Sequence, residues 1–177
     1  MPTGSAEAGH GKPASGSKIP ESVLVVVHSA DLQCLLLERA DHPGFWQSVT
    51  GSKDRADEAL TETCRREVWE ETGLDTGAYR LTDLGITNRF EIFAHWRHRY
   101  PEGVSHNTEH VFALELPAPL PIRIAPREHL AYQWLPWQQA ATRCFSWSNA
   151  QAIELLARRR IEAGSPKERP GTGEAAA

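Results

Sequence analysis

Apolar residues fall into short runs with polar breaks between them, and their spacing sets the predicted elements. Ser22–His28 (SVLVVVH) and Gln33–Arg39 (QCLLLER) are two such runs. The SADL segment between them predicts a β-hairpin with a four-residue connection. Phe45–Thr50 predicts another short strand, ended by Gly51. Over Glu58–Thr72 helix formers dominate, and Gly73 falls where a left-handed C-cap residue belongs. Arg89–Arg99 (RFEIFAHWRHR) alternates, with Phe90, Ile92, Ala94 and Trp96 on one side and Glu91, Phe93, His95 and Arg97 on the other, and so predicts a strand. His110–Leu116 and Ala131–Leu135 are further strands. A last helix is predicted from Ser148, where Ser148-x-x-Gln151 matches a capping box, to about Arg160. Strands outnumber helices and the helices follow groups of strands, which predicts an α+β sandwich rather than a regular βαβ repeat.

Both ends of the chain break from this pattern. Residues 1–17 are built of Gly, Ser, Ala and Pro, with no large apolar side chain after Met1, and residues 163–177 are similar. Such segments bury too little surface to offset their ordering entropy, so two disordered tails are expected around one domain over residues 18–162. Hydrophobic residues make up 40% of the chain and charged ones 24%, ordinary values for one soluble domain. A formal charge of −4 provides no global positive field, which argues against nucleic acid or an acidic membrane as partner. No apolar stretch is long enough for a bilayer span and none has the form of a signal peptide, so a cytoplasmic location is expected. Cys34, Cys64 and Cys144 lack any CxxC spacing; Cys34 and Cys64 read as buried thiols.

The chemistry is concentrated in Gly51–Leu74 (GSKDRADEALTETCRREVWEETGL). On a helix, Glu67, Glu70 and Glu71 stand at i, i+3 and i+4, so three carboxylates share one face and repel one another. A hard divalent cation relieves that repulsion, because Mg²⁺ takes oxygen ligands and completes its shell with substrate phosphates. A solvated acidic face neutralised by Arg65 or Arg66 is the plainer reading of the same triplet.

This segment resembles the Nudix box, Gly-x5-Glu-x7-Arg-Glu-U-x-Glu-Glu-x-Gly-U, with U a bulky aliphatic residue. Arg66, Glu67, Val68, Glu70, Glu71, Gly73 and Leu74 match in place, and Glu58 lies at the required spacing before Arg66. Six residues rather than five separate Gly51 from Glu58, which reads as an insertion in a polar loop that keeps the helix register. The resemblance implies a Nudix α/β/α sandwich with a mixed central sheet. It also implies a metal site at Glu67 and Glu71 for Mg²⁺ (with Mn²⁺ as a substitute), with Glu70 beside them and Arg66 orienting the carboxylates.

Four segments outside the box are similar to the dihydroneopterin triphosphate diphosphatases of folate biosynthesis. They are Phe45–Gly51, Phe90–Phe93 with the following His95–Tyr100, Glu128–Tyr132, and Ser146–Asn149. That resemblance implies a third metal ligand at Glu128 and a small-molecule triphosphate site lined by Lys18, Arg39, Thr50, Phe90, Glu91, Ile92, Phe93, His129 and Ser146. Lys18 and Arg39 suit phosphate oxygens, an aromatic residue of Phe90–Phe93 suits stacking on a pterin, and a carboxylate such as Glu91 suits its N–H donors. Each has a plainer reading: Phe90 and Ile92 as core, Lys18 as a solvated residue, His129 as an ion-pair partner of Glu128. Trp46 and Trp147 are the tryptophans to inspect for a pocket role. The implied reaction is attack of water on a triphosphate phosphorus, with Glu128 or Glu70 taking the proton, giving dihydroneopterin monophosphate and pyrophosphate. Two rivals share the box: a general or oxidised-nucleotide triphosphate pyrophosphatase, and a non-catalytic nucleotide-sensing module. The oligomeric state is left open.

Overall fold

The computed structural model describes residues 17–164. The expected tails therefore lie outside the described residues, apart from residue 17 and residues 163–164. The described strands are β1 (Glu21–Ser29), β2 (Gln33–Arg39), β3 (Trp46–Gln47), β4 (Val49–Ser52), β5 (Arg80–Glu91), β6 (His106–Leu116) and β7 (His129–Pro136). The helices are α1 (Leu60–Thr72), α2 (Trp137–Arg143) and α3 (Trp147–Gly164).

All seven strands belong to one sheet, ordered β3-β2-β1-β6-β5, with β4 paired to β1 and β7 to β2. β1 and β6 run parallel and the other pairs antiparallel, so the sheet is mixed, as expected. A central strand covered on both faces reads as a continuous apolar run, which is why Val23–Val27 lacks polar alternation. Its even positions, Leu24 and Val26, join Val111, Ala113, Ala140, Ile153 and Leu156 in one core beneath α2 and α3. The odd positions, Val23, Val25 and Val27, join Phe112, Leu114, Cys64 and Val68 in a second core beneath α1. Helices thus cover both faces of the sheet, giving the α/β/α layering. Cys34 and Cys64 are buried free thiols, as expected, and Cys144 is half-buried.

The hairpin forms with a connection of three residues rather than four, because Ser29 belongs to β1, and the C-cap of α1 forms as expected: Gly73 is left-handed at φ 72° and its amide donates to the Trp69 carbonyl at 2.9 Å. Four further expectations need correction. The strand over Phe45–Thr50 is split at Ser48, where the Asn149 side chain accepts from the Ser48 amide at 2.7 Å and donates to its hydroxyl at 2.9 Å; Gly51 lies inside β4 instead of ending it. The strand over Arg89–Arg99 ends at Glu91, and Ala94–Arg99 forms a 3₁₀ turn in which Trp96 packs on Phe93 three residues before it, a helical rather than a strand spacing, and on the adjacent His95. Most of β5 precedes that segment; a register shift between Asp83 and Ile86, with Gly85 at φ 65°, breaks the period-2 pattern over Arg80–Asn88. The last helix starts one residue earlier than Ser148: Ser146 accepts from the Asn149 amide at 3.4 Å, and Ser148 bonds Glu109 instead. α2 was not expected from its sequence.

Candidate metal and substrate site

α1 carries the carboxylates, and its packing sets their geometry. Val68 and Cys64 anchor it on the second core, which turns Glu67 and Glu71 toward β4. Glu67 lies against Gly51 so closely that a Cβ there would fall 1.8 Å from its carboxyl carbon. Arg66 fixes the same region: its guanidinium donates to Glu67 at 2.7 Å, to Glu58 at 3.1 Å and to the Ser52 carbonyl at 2.9 Å. Glu58 is buried and accepts from the Asp54 amide at 2.6 Å, whereas Asp57 is exposed and pairs with Arg55. Glu58 therefore fills the box position, and the extra residue sits in the loop before it.

Burial raises the Glu67 carboxyl to about 7, with the charges of Glu71 and Glu70 adding to the shift against the opposing pull of Arg66. Burial likewise raises Glu71 to about 6, against hydrogen bonds from His129 and the Thr50 amide. Arg66 is desolvated too, yet its bonds to Glu58 and Glu67 hold its guanidinium above its ordinary value. Glu70 is half-exposed at 3.6 Å from Arg66.

Glu71, Glu128 and His129 offer ligand atoms that all lie within 4.8 Å of one another. His129 Nε2 meets Glu71 at 3.0 Å, and its buried Nδ1 has no partner. Glu71 and the exposed Glu128 bring carboxylate oxygens together beside His129, while Glu67, cradled on Gly51, is a buried acid outside that group that feels the charge of Glu71; such oxygens suit a hard divalent cation.

Beside this group lies a cavity of about 450 Å³ on the α3 face of the sheet. Eight of the expected substrate residues line it: Lys18, Arg39, Thr50, Phe90, Glu91, Ile92, Phe93 and Ser146. His129, expected among them, faces the carboxylates instead. β4 joins the two halves, since Thr50 lines the cavity while its amide bonds Glu71, and Gly51 touches both. Lys18 bridges them electrostatically: burial and Arg99 lower its pKa, and Glu67 and Glu128 oppose that. Arg39 is held by Asp41 (2.8 and 2.6 Å) and Gln47 (3.1 Å) and lies over Trp96 and Phe145, forming an aromatic wall at the cavity. Of the two tryptophans singled out, Trp147 lines the cavity and Trp46 is core. Glu91, though it lines the cavity, is mostly exposed and paired with Arg97.

Sequence reasoning missed Asn107, Glu109, Asn149 and Trp96 at this cavity. Asn107 and Glu109 were findable, because they continue the period-2 face of β6 below Val111, where the expected strand had been started too late, at His110.

A family model, the NUDIX domain, matches residues 18–169. The dihydroneopterin triphosphate diphosphatase of Escherichia coli (strain K12) is 49% identical over 140 residues, spanning 77% of this chain and 91% of that protein. Its namesake in Haemophilus influenzae is 38% identical over 138 residues, spanning 76% and 85%. A solved structure of the E. coli dihydroneopterin triphosphate pyrophosphohydrolase superposes with a TM-score of 0.74 at 46% identity, covering 81% of this chain and 98% of that one. Together with the carboxylate helix seated on Gly51, these likenesses settle the family: the chain belongs to the Nudix family.

Proposed function

We propose that the protein hydrolyses dihydroneopterin triphosphate to dihydroneopterin monophosphate and pyrophosphate, as a Mg²⁺-dependent step of folate biosynthesis. The observation that carries this reading is the shared strand β4, which sets a buried carboxylate group and a ring-sized cavity side by side. The names of the relatives at 49% and 38% identity support the choice of substrate. Residues 18–162 form the catalytic unit, acting in the cytoplasm on a small molecule rather than on nucleic acid or at a membrane. Among the described residues no helix is long and apolar enough to cross a membrane.

Glu67, Glu71 and Glu128 would hold Mg²⁺, or Mn²⁺ in its place, which when bound supplies Lewis acidity and charge neutralisation toward phosphate oxygens. Arg66 keeps Glu67 on Gly51 and holds Glu58 and the Ser52 carbonyl in register. Lys18 and Arg39 face the triphosphate from the cavity side, and Phe90 to Phe93 with Ser146 line the ring end. His129 orients Glu71 through its 3.0 Å contact. Glu70 and Glu128, both exposed, are placed to receive the proton of the attacking water.

Retention of Glu67, Glu70 and Glu71 favours an enzyme over a sensing module. The test is product identification by ³¹P NMR with dihydroneopterin triphosphate and Mg²⁺. Pyrophosphate is the expected product, and orthophosphate alone would overturn the reading. Comparing kcat/KM with dATP and 8-oxo-dGTP separates the nucleotide rival; a tenfold advantage for either nucleotide overturns the substrate assignment.

A further inference from the structure

Along one face of β6 the side chains change character, from Ala113 and Val111 in the core to Glu109 and Asn107 in the cavity wall. Both polar residues are more than nine-tenths buried. Asn107 spends its Nδ2 on Ser22 at 2.7 Å, while its Oδ1, also buried, has no hydrogen-bond partner. Glu109 accepts from Asn88 Nδ2 at 3.3 Å and from the Ser148 hydroxyl. A carboxylate offers about four lone-pair positions, so half of its accepting capacity remains for a ligand. The wall of the cavity is thus short of donors. Burying acceptors in that state is costly unless a bound molecule brings N–H groups to them.

We propose that Asn107 and Glu109 are the specificity-determining residues for the ring, accepting hydrogen bonds from the adjacent amino and ring N–H groups of a 2-amino-4-oxo heterocycle. This rests on the pterin triphosphate reading above and names the edge that the ring presents. Glu109 accepts from the ring N–H and one amino hydrogen, and Asn107 Oδ1 accepts the second amino hydrogen. Guanine carries the same edge. Adenine places a ring-nitrogen lone pair beside its amino group, so it turns an acceptor toward the carboxylate and is disfavoured. Glu91, paired with Arg97 at the exposed end of β5, lacks the burial that leaves Asn107 and Glu109 short of donors.

The test measures kcat/KM of the full-length protein with Mg²⁺ for dihydroneopterin triphosphate, dGTP and dATP, in wild type, Glu109→Gln and Asn107→Ala. A site built to bind N–H groups discriminates strongly through them. The ratios of dihydroneopterin triphosphate to dATP and of dGTP to dATP are therefore expected to fall at least tenfold in Glu109→Gln and at least threefold in Asn107→Ala. Ratios that stay within twofold of wild type in both variants overturn the proposal. Because each ratio is internal to one sample, partial misfolding does not move it; if Glu109→Gln fails to fold, Asn107→Ala carries the test. Wild type preferring dATP to dihydroneopterin triphosphate by tenfold or more would refute the substrate reading alone. The change in the dGTP to dATP ratio still decides the role of these two residues.

Discussion

Replacing Gly51 by Ala tests the site at its tightest contact. The new Cβ would lie 1.8 Å from the Glu67 carboxyl carbon and 2.0 Å from one of its oxygens. Carbon atoms in contact sit about 3.5 Å apart, so the carboxylate must retreat by roughly 1.7 Å. Misplacing a catalytic group by about 1 Å costs on the order of 100-fold in rate. The expected result is a fall in kcat/KM of about 100-fold, or ~2.7 kcal/mol, together with a rise of about tenfold in the Mg²⁺ concentration giving half-maximal activity. Thermal stability without metal should change little. Glu67 is held buried at the expense of a carboxyl raised to about 7, and pushing it toward water relieves that desolvation while adding the steric clash. Turnover titrated against Mg²⁺, with calorimetry in EDTA, separates the two effects. A Gly51→Ala enzyme within threefold of wild type and with unchanged Mg²⁺ dependence would falsify the placement of Glu67 at the metal.

Glu71→Gln keeps the shape of the cluster but removes its most buried negative charge, so kcat should drop by at least about 100-fold while the circular dichroism spectrum is retained; unchanged turnover would remove Glu71 from the metal site. The metal-free protein should lose stability as pH rises. Glu67 and Glu71 titrate near 7 and 6 when folded, above their ordinary 4.5, so the folded state binds their protons more tightly; that stabilisation is complete below pH 4.5 and is lost through pH 6 to 7. The loss is on the order of 3 kcal/mol for Glu67 taken alone. Asp41, lowered to about 2 by Arg39, works in the opposite sense but only below about pH 4, and buried His28 opposes the trend up to its ordinary 6.5. A melting temperature in EDTA that climbs between pH 5 and 8, or a fall that Mg²⁺ does not lessen, would contradict this. Asn149→Ala strips the buried Ser48 amide of its acceptor, a loss of about 1–3 kcal/mol, and should lower the urea midpoint and, by loosening the start of β4, raise the Mg²⁺ requirement; an unchanged midpoint would show the clamp to be dispensable.

How much of this was legible in the chain depends on whether the information was local. The box lies within one helix and its loop, so fixed spacings placed Glu67, Glu70 and Glu71 on one face, with Arg66 next to them in the chain, without knowledge of the sheet. The hairpin was equally local. By contrast, β5 hides behind a bulge at Gly85, and a bulge destroys the alternation by which strands are recognised. The aromatic alternation after Arg89 misled for the converse reason: Phe93, His95 and Trp96 satisfy one another inside a single turn, so their spacing reports mutual stacking and not a sheet face.

The division of labour between the two halves of the site follows from strand parity. β4 pairs with β1 in register, so Thr50 and Ser52 share the face of Leu24 and Ser22, while Gly51 shares the face of Val23. One face leads to α3 and the cavity, the other to α1 and the carboxylates. A glycine at the crossing lets Glu67 approach the strand from the α1 side, and the Thr50 amide bonds Glu71 while its side chain stays in the cavity. Any shift of β4 by one residue would exchange Thr50 and Gly51 between faces and set a side chain where Glu67 now lies. The Ser48–Asn149 clamp stands one residue before β4, and it ties the start of that strand to α3, the helix whose first turn also lines the cavity. The register of four residues therefore couples the shape of the ring cavity to the position of the carboxylates, and a substitution at Ser48 should disturb both together.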